Sequence, residues 1–320
     1  MNNSNLPLVS IVMCTYNGEK YLIDQLNSLL TQTYKNIEIV IVDDYSTDNT
    51  KSILLSYQKR YPSIKLFFNK ENLGFNKNFE KSIRLSKGEY ISICDQDDIW
   101  YSNKLERLQL EIGNKGVIFS NSRLINEKGE PIGKLLLEQP MIEKFDYKSI
   151  LINNYVTGHT ILAKRIFLEK TFPFPEHGYY DWWIGFVSSY YNELIYLDEI
   201  TTDYRIHRNS VVHQEVFLSD SDLSALEIMD YKSTKNQLQY FYNFLRLKGE
   251  ESFINHLMDL YLGNKGFFSR TLNLFFFFNH YNILFPLQKR RKFLSKGKFL
   301  FVKEYWNKIN ECKQKTASIN

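Results

Sequence analysis

Short apolar runs alternate with longer amphipathic stretches over the first 120 residues of this chain. This alternation is typical of β-α-β units, in which helices cover the faces of a largely parallel sheet. The runs predict five strands, at Val9–Cys14, Ile37–Val42, Ile64–Phe68, Tyr90–Cys94 and Val117–Ser120. The N-terminal part of the chain is therefore predicted to form an α/β domain.

The segments between the predicted strands carry helix signals. A helix over Glu19–Gln32 would place on one face Leu22, Leu26, Leu29 and Leu30. A second helix is predicted to end near Arg60 and to be capped at its start by Ser46, Thr47 and Asp48. Residues 121–148 are polar and contain Gly and Pro, which predicts a mobile insertion before the chain returns to the sheet at Val156–Ala163.

The amino-acid composition excludes several classes of protein. The chain of 320 residues is 43% hydrophobic and 24% charged, which excludes a largely disordered protein and a disulfide-stapled miniprotein. Its three cysteines, an odd number with no close pair, predict a reduced protein of the cytosol. The sequence shows no signal peptide and no apolar stretch of about 18 residues. We therefore expect a cytoplasmic protein that is neither secreted nor membrane-spanning.

Basic residues are concentrated towards the C-terminus. Residues 1–262 contain 28 Lys and Arg against 34 Asp and Glu, whereas residues 263–320 contain 12 against 2. Residues 219–262 and 264–306 are predicted to be helical, and the second segment combines apolar with basic side chains. Such helices bind anionic membrane surfaces. Two alternatives stay open: peripheral attachment to the inner face of the cell membrane through residues 264–306, or packing on the α/β domain with solvated charges.

Polar side chains follow three of the predicted strands. They are Cys14-Thr15-Tyr16-Asn17 after the first, Asp43-Asp44 after the second and Asp95-Gln96-Asp97-Asp98 after the fourth. Parallel strands end at one edge of a sheet, which is where open α/β sheets bind ligands. Acidic clusters at one edge repel each other unless a cation lies between them, and Mn²⁺ or Mg²⁺ with a diphosphate ligand fits an Asp-x-Asp string. The alternatives are a helix-cap region at Asp43-Asp44 and a solvated turn at residues 95–98.

Two common nucleotide-binding classes lack support. The sequence contains neither Gly-x-Gly-x-x-Gly nor the Walker pattern Gly-x-x-x-x-Gly-Lys-Ser/Thr. A dinucleotide oxidoreductase and a P-loop NTPase are therefore not expected. The acidic edge would repel a polyanion, so nucleic acid is not expected as a partner.

Five motifs in order carry a resemblance to a known family. The segments VSIVMCTYNGEKYLIDQLNSLLTQTYKNIEIVIVDDYSTDNT, ENLGFNKNFEKSI and GEYISICDQDDIW resemble the nucleotide-sugar half of family 2 glycosyltransferases of the GT-A fold. DQDDIW together with TGHTIL, YYDWW and YRIHRNSVV resembles the bacterial rhamnosyltransferase-like subgroup, which builds surface polysaccharides. The resemblance covers about residues 7–213. It implies a GT-A catalytic domain over residues 1–215, with a nucleotide-sugar half at about 7–120 and an acceptor half at about 121–215, followed by a helical, basic region at 216–320.

The resemblance also implies roles for single residues. The nucleotide-sugar pocket would be lined by Cys14, Thr15, Tyr16, Asn17, Asp43, Asp44, Asp95 and Asp97. Within this set Asp44 would bind the base with Asp43 supporting the loop, and Asp95 would lie near the ribose. Asp97 would bind a Mn²⁺ or Mg²⁺ ion that bridges the diphosphate, and His207 matches a position that touches the metal or the phosphates.

Asp181 matches the position of the general base. Trp182 and Trp183 belong either to the core or to an apolar platform on which a sugar or acceptor stacks. The chain also departs from the family pattern. Tyr45 stands where relatives commonly have Gly and must accept the backbone geometry that Gly provides, and Tyr180 stands where relatives often have His.

The implied function is an inverting, metal-dependent transfer of a sugar from a nucleotide-diphosphate donor to a saccharide acceptor, with a lipid-linked acceptor as one form. L-rhamnose and a hexose are the candidate sugars, and bacterial surface polysaccharide is the candidate product. A nucleotidyltransferase and a catalytically inactive, membrane-binding relative are the alternatives. Free nucleoside diphosphate as product would exclude the first of these.

Overall fold

A computed structural model describes residues 6–137, 146–207, 220–262, 267–284 and 295–319. Within them lies a nine-stranded sheet with the order β3-β2-β1-β4-β8-β6-β9-β5, and β7 pairs with β6. The strands are β1 Val9–Thr15, β2 Ile37–Asp43, β3 Ile64–Phe68, β4 Tyr90–Cys94, β5 Ile99–Trp100, β6 Val117–Ile125, β7 Pro131–Leu135, β8 Leu162–Lys164 and β9 Leu194–Arg205.

The half of the sheet formed by β1 to β4 is parallel, as the sequence predicts. Val9 pairs with Ile37 of β2 and with Tyr90 of β4, so the three strands are in step and end at the same edge. The other half is mixed: β8 is antiparallel to both β4 and β6, whereas β6 and β9 are parallel. Antiparallel β8 begins near that edge, because Leu162 pairs with Ser92 and Lys164 with Tyr90, so the segment before β8 lies there.

Seven helices flank the sheet in the described part of residues 6–207. They are α1 Leu22–Leu30, α2 Thr50–Arg60, α3 Phe75–Leu85, α4 Lys104–Glu111, α5 Tyr147–Ile150, α6 Arg165–Leu168 and α7 Tyr180–Tyr190. Helix α1 is shorter than predicted, because the chain first makes a turn in which the N–H groups of Tyr21 and Leu22 donate to the carbonyl of Gly18. The Glu19 side chain in this turn accepts hydrogen bonds from Asn49. Of the three predicted caps of α2 only Asp48 accepts a backbone N–H of that helix, from Thr50.

Alternate residues of each strand divide the core between the two faces of the sheet. On β1, Ile11 and Met13 pack with the leucines of α1, and Val12 packs with Phe79 and Ile83 of α3 on the other face. Both faces of the central strands are buried, which accounts for their continuous apolar runs. Because side chains alternate between the two faces of the sheet, the position of a residue along its strand decides which helix covers its side chain.

The predicted insertion at residues 121–148 is partly wrong. Strand β6 continues to Ile125, and β7 returns antiparallel to it. The turn between them is closed by the N–H of Asn126, which donates to the carbonyl of Glu130, and by Gly129 at φ +84°. Gly and Pro lie in a hairpin here. Composition alone does not distinguish a hairpin from an irregular loop. Residues 138–145 lie outside the described residues.

Five helices form the described C-terminal part. They are α8 Asp220–Lys248, α9 Ser252–Leu262, α10 Phe267–Asn279, α11 Tyr281–Leu284 and α12 Ser295–Ile319. Phe241 of α8 stacks on Phe186 of α7 at 4.1 Å between ring centroids, and Phe277 of α10 belongs to the same apolar core. The helices therefore pack on the α/β part. The predicted boundary at residue 215 lies outside the described residues, and among the described helices none is long and apolar enough to cross a membrane.

Candidate active site

The loops after β1, β2 and β4 meet at one edge of the sheet. Gln96, in the loop after β4, accepts a hydrogen bond from the backbone N–H of Tyr16 at 3.0 Å and donates one to its carbonyl at 3.1 Å. A Cβ on Gly18 would lie only 2.2 Å from Oε1 of Gln96, so a larger residue there would displace the Gln96 amide. The edge is thus a single hydrogen-bonded surface built from loops that are 80 residues apart.

Asp43 organises the loop after β2. Its buried carboxylate accepts hydrogen bonds from the hydroxyl of Thr15 at 2.9 Å, from the N–H of Ser46 at 3.0 Å and from the hydroxyl of Ser46 at 2.5 Å. Three donors leave little capacity for a ligand. The supporting role predicted for Asp43 agrees with this geometry, and its contact with a nucleotide sugar stays a prediction.

Asp44 binds the segment that leads into α3. Its buried carboxylate accepts hydrogen bonds from the side-chain amide of Asn69 at 2.7 Å and from the backbone N–H groups of Leu73 at 2.8 Å and Gly74 at 2.9 Å. The sequence prediction did not include these partners, because a carboxylate that fixes a loop has the same sequence signature as one that binds a base. The predicted contact with the base stays a prediction.

The residues after β1 differ in exposure. Tyr16 is exposed, and Cys14 lies 3.9 Å from the hydroxyl of Ser82, with burial raising the pKa of its thiol. Asn17, at φ +48°, accepts a hydrogen bond from the N–H of Thr47 at 2.8 Å. Asn17 therefore ties two loops together, and Tyr16 offers the larger free surface at this edge.

Asp97 and His207 are side by side. The distance between Oδ2 of Asp97 and Nε2 of His207 is 2.7 Å, although the residues are 110 positions apart. The ring of His207 lies 5.1 Å from that of Tyr21. The two residues that the family resemblance implicates in metal binding are therefore in contact at the end of β9. Their role as ligands stays a prediction.

Arg205 supports this pair from beneath. Its guanidinium is 1% exposed and donates to the carbonyls of Asp97 at 2.8 Å and Glu127 at 3.1 Å and to the carboxylate of Asp24 at 3.2 Å. Its backbone N–H donates to Asp98 at 3.0 Å. The carboxylate of Asp203, two positions before Arg205, pairs with Arg123 at 2.8 Å.

Three buried or half-buried side chains form a second group behind Asp97. Nδ1 of His159 lies 3.7 Å from Asp95 and 3.9 Å from Asp98, and its Nε2 is 2.8 Å from the hydroxyl of Ser122. Oδ2 of Asp98 is fully buried without a hydrogen-bond partner. The sequence gave no reason to single out His159, because its neighbours in space come from β4 and β6.

Burial and like charges shift the proton affinities of this group. Burial, then the charges of Asp97 and Asp181, raise the pKa of Asp95 to about 7. Burial, then Asp97 and Asp95, raise the pKa of Asp98 well above its usual range. Burial lowers the pKa of His159 well below its usual range. Asp98 and His159 are consequently most stable uncharged.

Lys104 of α4 places a further cation beside these carboxylates. Its ammonium donates to the carbonyl of His159 at 2.5 Å and to the hydroxyl of Thr202 at 2.7 Å, and it lies 3.6 Å above the ring of Trp100. Burial lowers the pKa of Lys104 to about 7, although Cys94, Asp98 and Asp95 oppose that shift. A metal ion bound between Asp98 and His159 would compete with this ammonium, whereas Asp97 and His207 are partly open to solvent.

Asp181 lies in the first turn of α7. Its Oδ1 accepts hydrogen bonds from the N–H of Trp182 at 2.6 Å and the side-chain amide of Asn154 at 3.0 Å, and its Oδ2 accepts one from the N–H of Gly158 at 3.0 Å. Burial raises the pKa of Asp181 to about 6, while these three donors lower it. The carboxylate is held in a fixed orientation and titrates close to neutral pH.

The two tryptophans after Asp181 point into the core. Trp182 is 4% exposed, and its indole N–H donates to the carbonyl of Ile150 at 2.6 Å. The indole of Trp183 donates to the carbonyl of Thr171 at 2.7 Å and stacks on Phe241 at 6.2 Å. Of the two alternatives that the sequence left open for them, a place in the core is the one these contacts support.

Comparison with known proteins identifies the family. The model of the family described as "Glycosyl transferase family 2" matches residues 10–172, which is half of the chain. The chain belongs to this family. The enzyme class and GT-A fold that the sequence predicts are therefore confirmed.

This glycosyltransferase has curated relatives in several bacteria. It is 36% identical over 220 residues to an uncharacterized glycosyltransferase of Rickettsia typhi, covering 64% of this chain and 66% of the relative. It is 30% identical over 208 residues to UDP-Glc:alpha-D-GlcNAc-diphosphoundecaprenol beta-1,3-glucosyltransferase WfgD of Escherichia coli, covering 64% and 79%. The matched part thus spans just under two thirds of the Rickettsia typhi relative.

Solved structures resemble the whole described fold. S. aureus TarS 1-349 in complex with UDP-GlcNAc has a TM-score of 0.56 at 17% identity, with 96% of this chain and 91% of that chain covered. Mannosyltransferase PcManGT from Pyrobaculum calidifontis in complex with GDP-Man and Mn²⁺ has a TM-score of 0.57 at 16% identity, covering 95% and 88%. Because the coverage extends beyond residue 207, the C-terminal helices share the likeness.

A backbone prediction follows from the loop after β2. Tyr45 has φ +70° and an exposed ring, so it occupies the left-handed region that its Cβ disfavours. We expect Tyr45→Gly to raise the free energy of unfolding by about 1 kcal/mol, since glycine removes the strain. Tyr45→Ala, which loses the ring but keeps Cβ, is the matched control for urea denaturation. A glycine variant less stable than the alanine variant would contradict the strain.

Proposed function

We propose that this family 2 glycosyltransferase transfers a hexosyl or deoxyhexosyl group from a nucleotide-diphosphate sugar to a hydroxyl of a saccharide acceptor, with inversion at the anomeric carbon. The observation that carries the proposal is the Asp181 carboxylate. It is oriented by Asn154 and Gly158, has a pKa of about 6 and lies close enough to Asp95 to raise the pKa of that residue. A base of this kind beside the acidic edge is what a direct displacement requires.

The residues have distinct tasks in the proposed reaction. Tyr16 and the loops that carry Asp43 and Asp44 bind the nucleoside, with Asp95 near the ribose. Asp181 accepts the proton of the acceptor hydroxyl as that oxygen bonds to the anomeric carbon and the bond to the diphosphate oxygen breaks. One base is enough because the leaving group is already an anion, so no second carboxylic acid has to protonate it.

Asp97 and His207 fit a divalent cation. A carboxylate and an imidazole 2.7 Å apart, both partly open to solvent, are a suitable donor set for Mn²⁺ and an acceptable one for Mg²⁺. A bound ion of this kind supplies positive charge that stabilises the departing diphosphate. Arg205 holds the Asp97 backbone in place for this pair. The Mn²⁺ in the PcManGT complex supports the choice.

The identity of the sugar and the product rests on relatives. The name of WfgD specifies UDP-glucose and a diphosphoundecaprenol-linked acceptor, which supports a hexose donor, a lipid-linked acceptor and a role in bacterial surface polysaccharide synthesis. The DQDDIW and YRIHRNSVV strings support the rhamnosyltransferase-like subgroup. We therefore include both kinds of sugar in the donor panel below.

The first test is product release from a donor panel. Purified enzyme is incubated with UDP-glucose, UDP-N-acetylglucosamine, GDP-mannose or dTDP-L-rhamnose, Mn²⁺ and an alkyl-diphospho-N-acetylglucosamine acceptor. We expect nucleoside diphosphate from one donor, lost with EDTA and in Asp97→Asn. We expect Asp181→Asn to lower kcat about 10²- to 10⁴-fold, since the base is removed.

The controls separate the alternatives. Asp181→Asn should bind the donor as the wild type does, because Asp181 contacts the acceptor in the proposed reaction. Release of pyrophosphate would instead show nucleotidyl transfer. Donor binding without turnover across the panel would support the catalytically inactive relative. Full activity of Asp181→Asn would refute the proposed base.

The pH profile provides an independent prediction. The protonated form of Asp181 cannot accept a proton, so we expect kcat/KM to fall about tenfold per pH unit below its pKa of about 6. Asn154 donates to Asp181 and lowers that pKa. Asn154→Ala should therefore move the acidic limb of the profile to higher pH.

Asn153 supplies the matched control for the pH profile. Its side-chain amide donates to the carbonyl of Leu284 at 3.0 Å and does not bond to Asp181. Asn153→Ala should leave the acidic limb where the wild type has it. An Asn154→Ala profile that coincides with the wild type would assign the limb to another group.

We also propose that α10 attaches the enzyme to an anionic membrane surface at its cytoplasmic face. Helix α10 contains four consecutive phenylalanines, which cannot all face the core because successive residues are about 100° apart on a helix. Phe277 is buried, whereas Leu272 and Phe275 are 63% and 65% exposed. Together with the net positive charge of residues 263–320, this apolar ridge supports contact with anionic lipid.

Vesicle flotation tests the membrane proposal. We expect the wild type to bind vesicles that contain phosphatidylglycerol and not phosphatidylcholine alone, with weaker binding at high salt. Leu272→Glu with Phe275→Glu should remove most of that binding. Leu247→Glu, on an 87% exposed residue of α8, is the control. Equal loss in the control, or no preference for anionic lipid, would contradict a specific ridge.

A further inference from the structure

Two aromatic rings stack at the surface near the start of α7, the helix that carries Asp181. Phe75, the first residue of α3, is 49% exposed, and Tyr179 immediately precedes α7. Their ring centroids are 6.2 Å apart with an interplanar angle of 26°. Phe75 also lies 6.3 Å from the buried ring of Tyr180. Half of an apolar ring is thus held against the protein, and the other half is open to solvent.

Asn76 fixes the relative position of the two rings. Its buried side-chain amide donates to the carbonyls of Pro175 at 2.9 Å and Gly178 at 3.0 Å, and its Oδ1 accepts the N–H of Tyr180 at 3.0 Å. The N–H of Tyr179 donates to Gln237 of α8 at 2.9 Å. The backbone on both sides of Tyr179 is therefore held by hydrogen bonds, which preorganises the rings.

Phe75 and Tyr179 are the chain neighbours of two parts of the proposed active site, the donor-binding edge and the proposed base. Gly74, whose N–H donates to Asp44, precedes Phe75, and Asp181 follows Tyr179 by two positions. The donor-binding edge and the proposed base are thus connected through these rings. Trp182 and Trp183, the aromatic residues that the sequence suggested for a sugar platform, face the core instead.

We propose that Phe75 and Tyr179 form a stacking platform for the pyranose ring of a saccharide substrate, a proposal that rests on the glycosyl transfer proposed above. The C–H face of a pyranose is apolar and flat enough to cover an aromatic ring, and its hydroxyl groups remain at the rim where polar groups and water can bond to them. Phe75 has no polar atom and contributes only such a face. The open half of its ring is not needed for any contact within the core.

Two saccharides share this chemistry: the sugar that is transferred and the sugar that accepts it. Both come close to Asp181 at the moment of transfer. A platform for the donor sugar would contribute to binding of the nucleotide sugar but not of the free nucleotide. A platform for the acceptor would leave both nucleotide affinities unchanged.

Calorimetric titration of Phe75→Leu and Phe75→Trp tests the platform. The ligands are the nucleotide sugar of the above panel that the wild type binds best, its free nucleoside diphosphate, and alkyl-diphospho-N-acetylglucosamine. We expect Phe75→Leu, which keeps an apolar side chain but loses the ring, to weaken one saccharide about three- to tenfold, and Phe75→Trp to restore it. Weaker binding of the nucleotide sugar alone assigns the donor, and weaker binding of the diphospho-sugar alone assigns the acceptor.

The controls guard against a structural explanation. Tyr191 lies at the other end of α7 with a similar exposure of 44%, and Tyr191→Leu should change none of the three affinities. Unchanged affinities in Phe75→Leu would overturn the platform. Equal weakening of all three ligands, or weakening shared with Tyr191→Leu, would also overturn it. Failure of the proposed function is a separate result, because it would show as full transfer by Asp181→Asn.

Discussion

The edge that carries the acidic residues depends on one buried cation. A guanidinium has five N–H donors, and leaving them unbonded in the interior is costly, so the buried Arg205 side chain needs hydrogen-bond acceptors. They are bonded to the loop after β4, to the turn between β6 and β7, and to α1. Because β9 carries Arg205 and leads directly to His207, the same bonds bring His207 to Asp97. Loss of the guanidinium would leave polar groups on three elements unbonded and separate the proposed metal ligands.

Negative charge at the same edge is balanced unevenly. Burial raises the pKa values of Asp95, Asp98 and Asp181, and neighbouring carboxylates raise those of Asp95 and Asp98 further. The Lys104 ammonium, which donates to the carbonyl of His159 and the hydroxyl of Thr202, compensates part of the charge of Asp95 and Asp98. Asp97 and His207 are partly open to solvent, and a divalent cation there would offset the repulsion that Lys104 does not reach. This division explains why a buried lysine and a proposed metal site can coexist within one group of acids.

The sequence predicted the parallel half of the sheet because its strands are buried on both faces and read as apolar runs. Strand β8 overlaps only the end of the segment predicted at Val156–Ala163, and strand β5, with two residues, is too short for periodicity to reveal. Asp97 and His207 were paired through the resemblance to a family, and the contact between them agrees with that pairing. His159, Lys104 and Asn76 were missed, since their importance arises from partners more than 50 residues away, Asp95 in the case of His159. The two tryptophans were singled out but could not be assigned from the sequence. An aromatic run beside an active-site motif has the same sequence pattern whether it faces the core or a ligand.

The C-terminal helices are in direct contact with the helix that carries the proposed base. Gln237 of α8 accepts the N–H of Tyr179, and Phe241 of α8 packs against Trp183 of α7, two residues after Asp181. The α8 helix is in turn connected to α9 by the Tyr231 hydroxyl, which donates to the carbonyl of Tyr261 at 2.6 Å. Phe253 of α9 packs against Phe276 of α10 with 4.9 Å between ring centroids. If α10 lies on a lipid surface as proposed, this chain of contacts fixes the height of Asp181 above that surface. A lipid-linked acceptor extends its saccharide a limited distance from the membrane, so a rigid connection between attachment and base would restrict which acceptor hydroxyl can reach Asp181. The basic helices would then contribute to acceptor selection as well as to attachment.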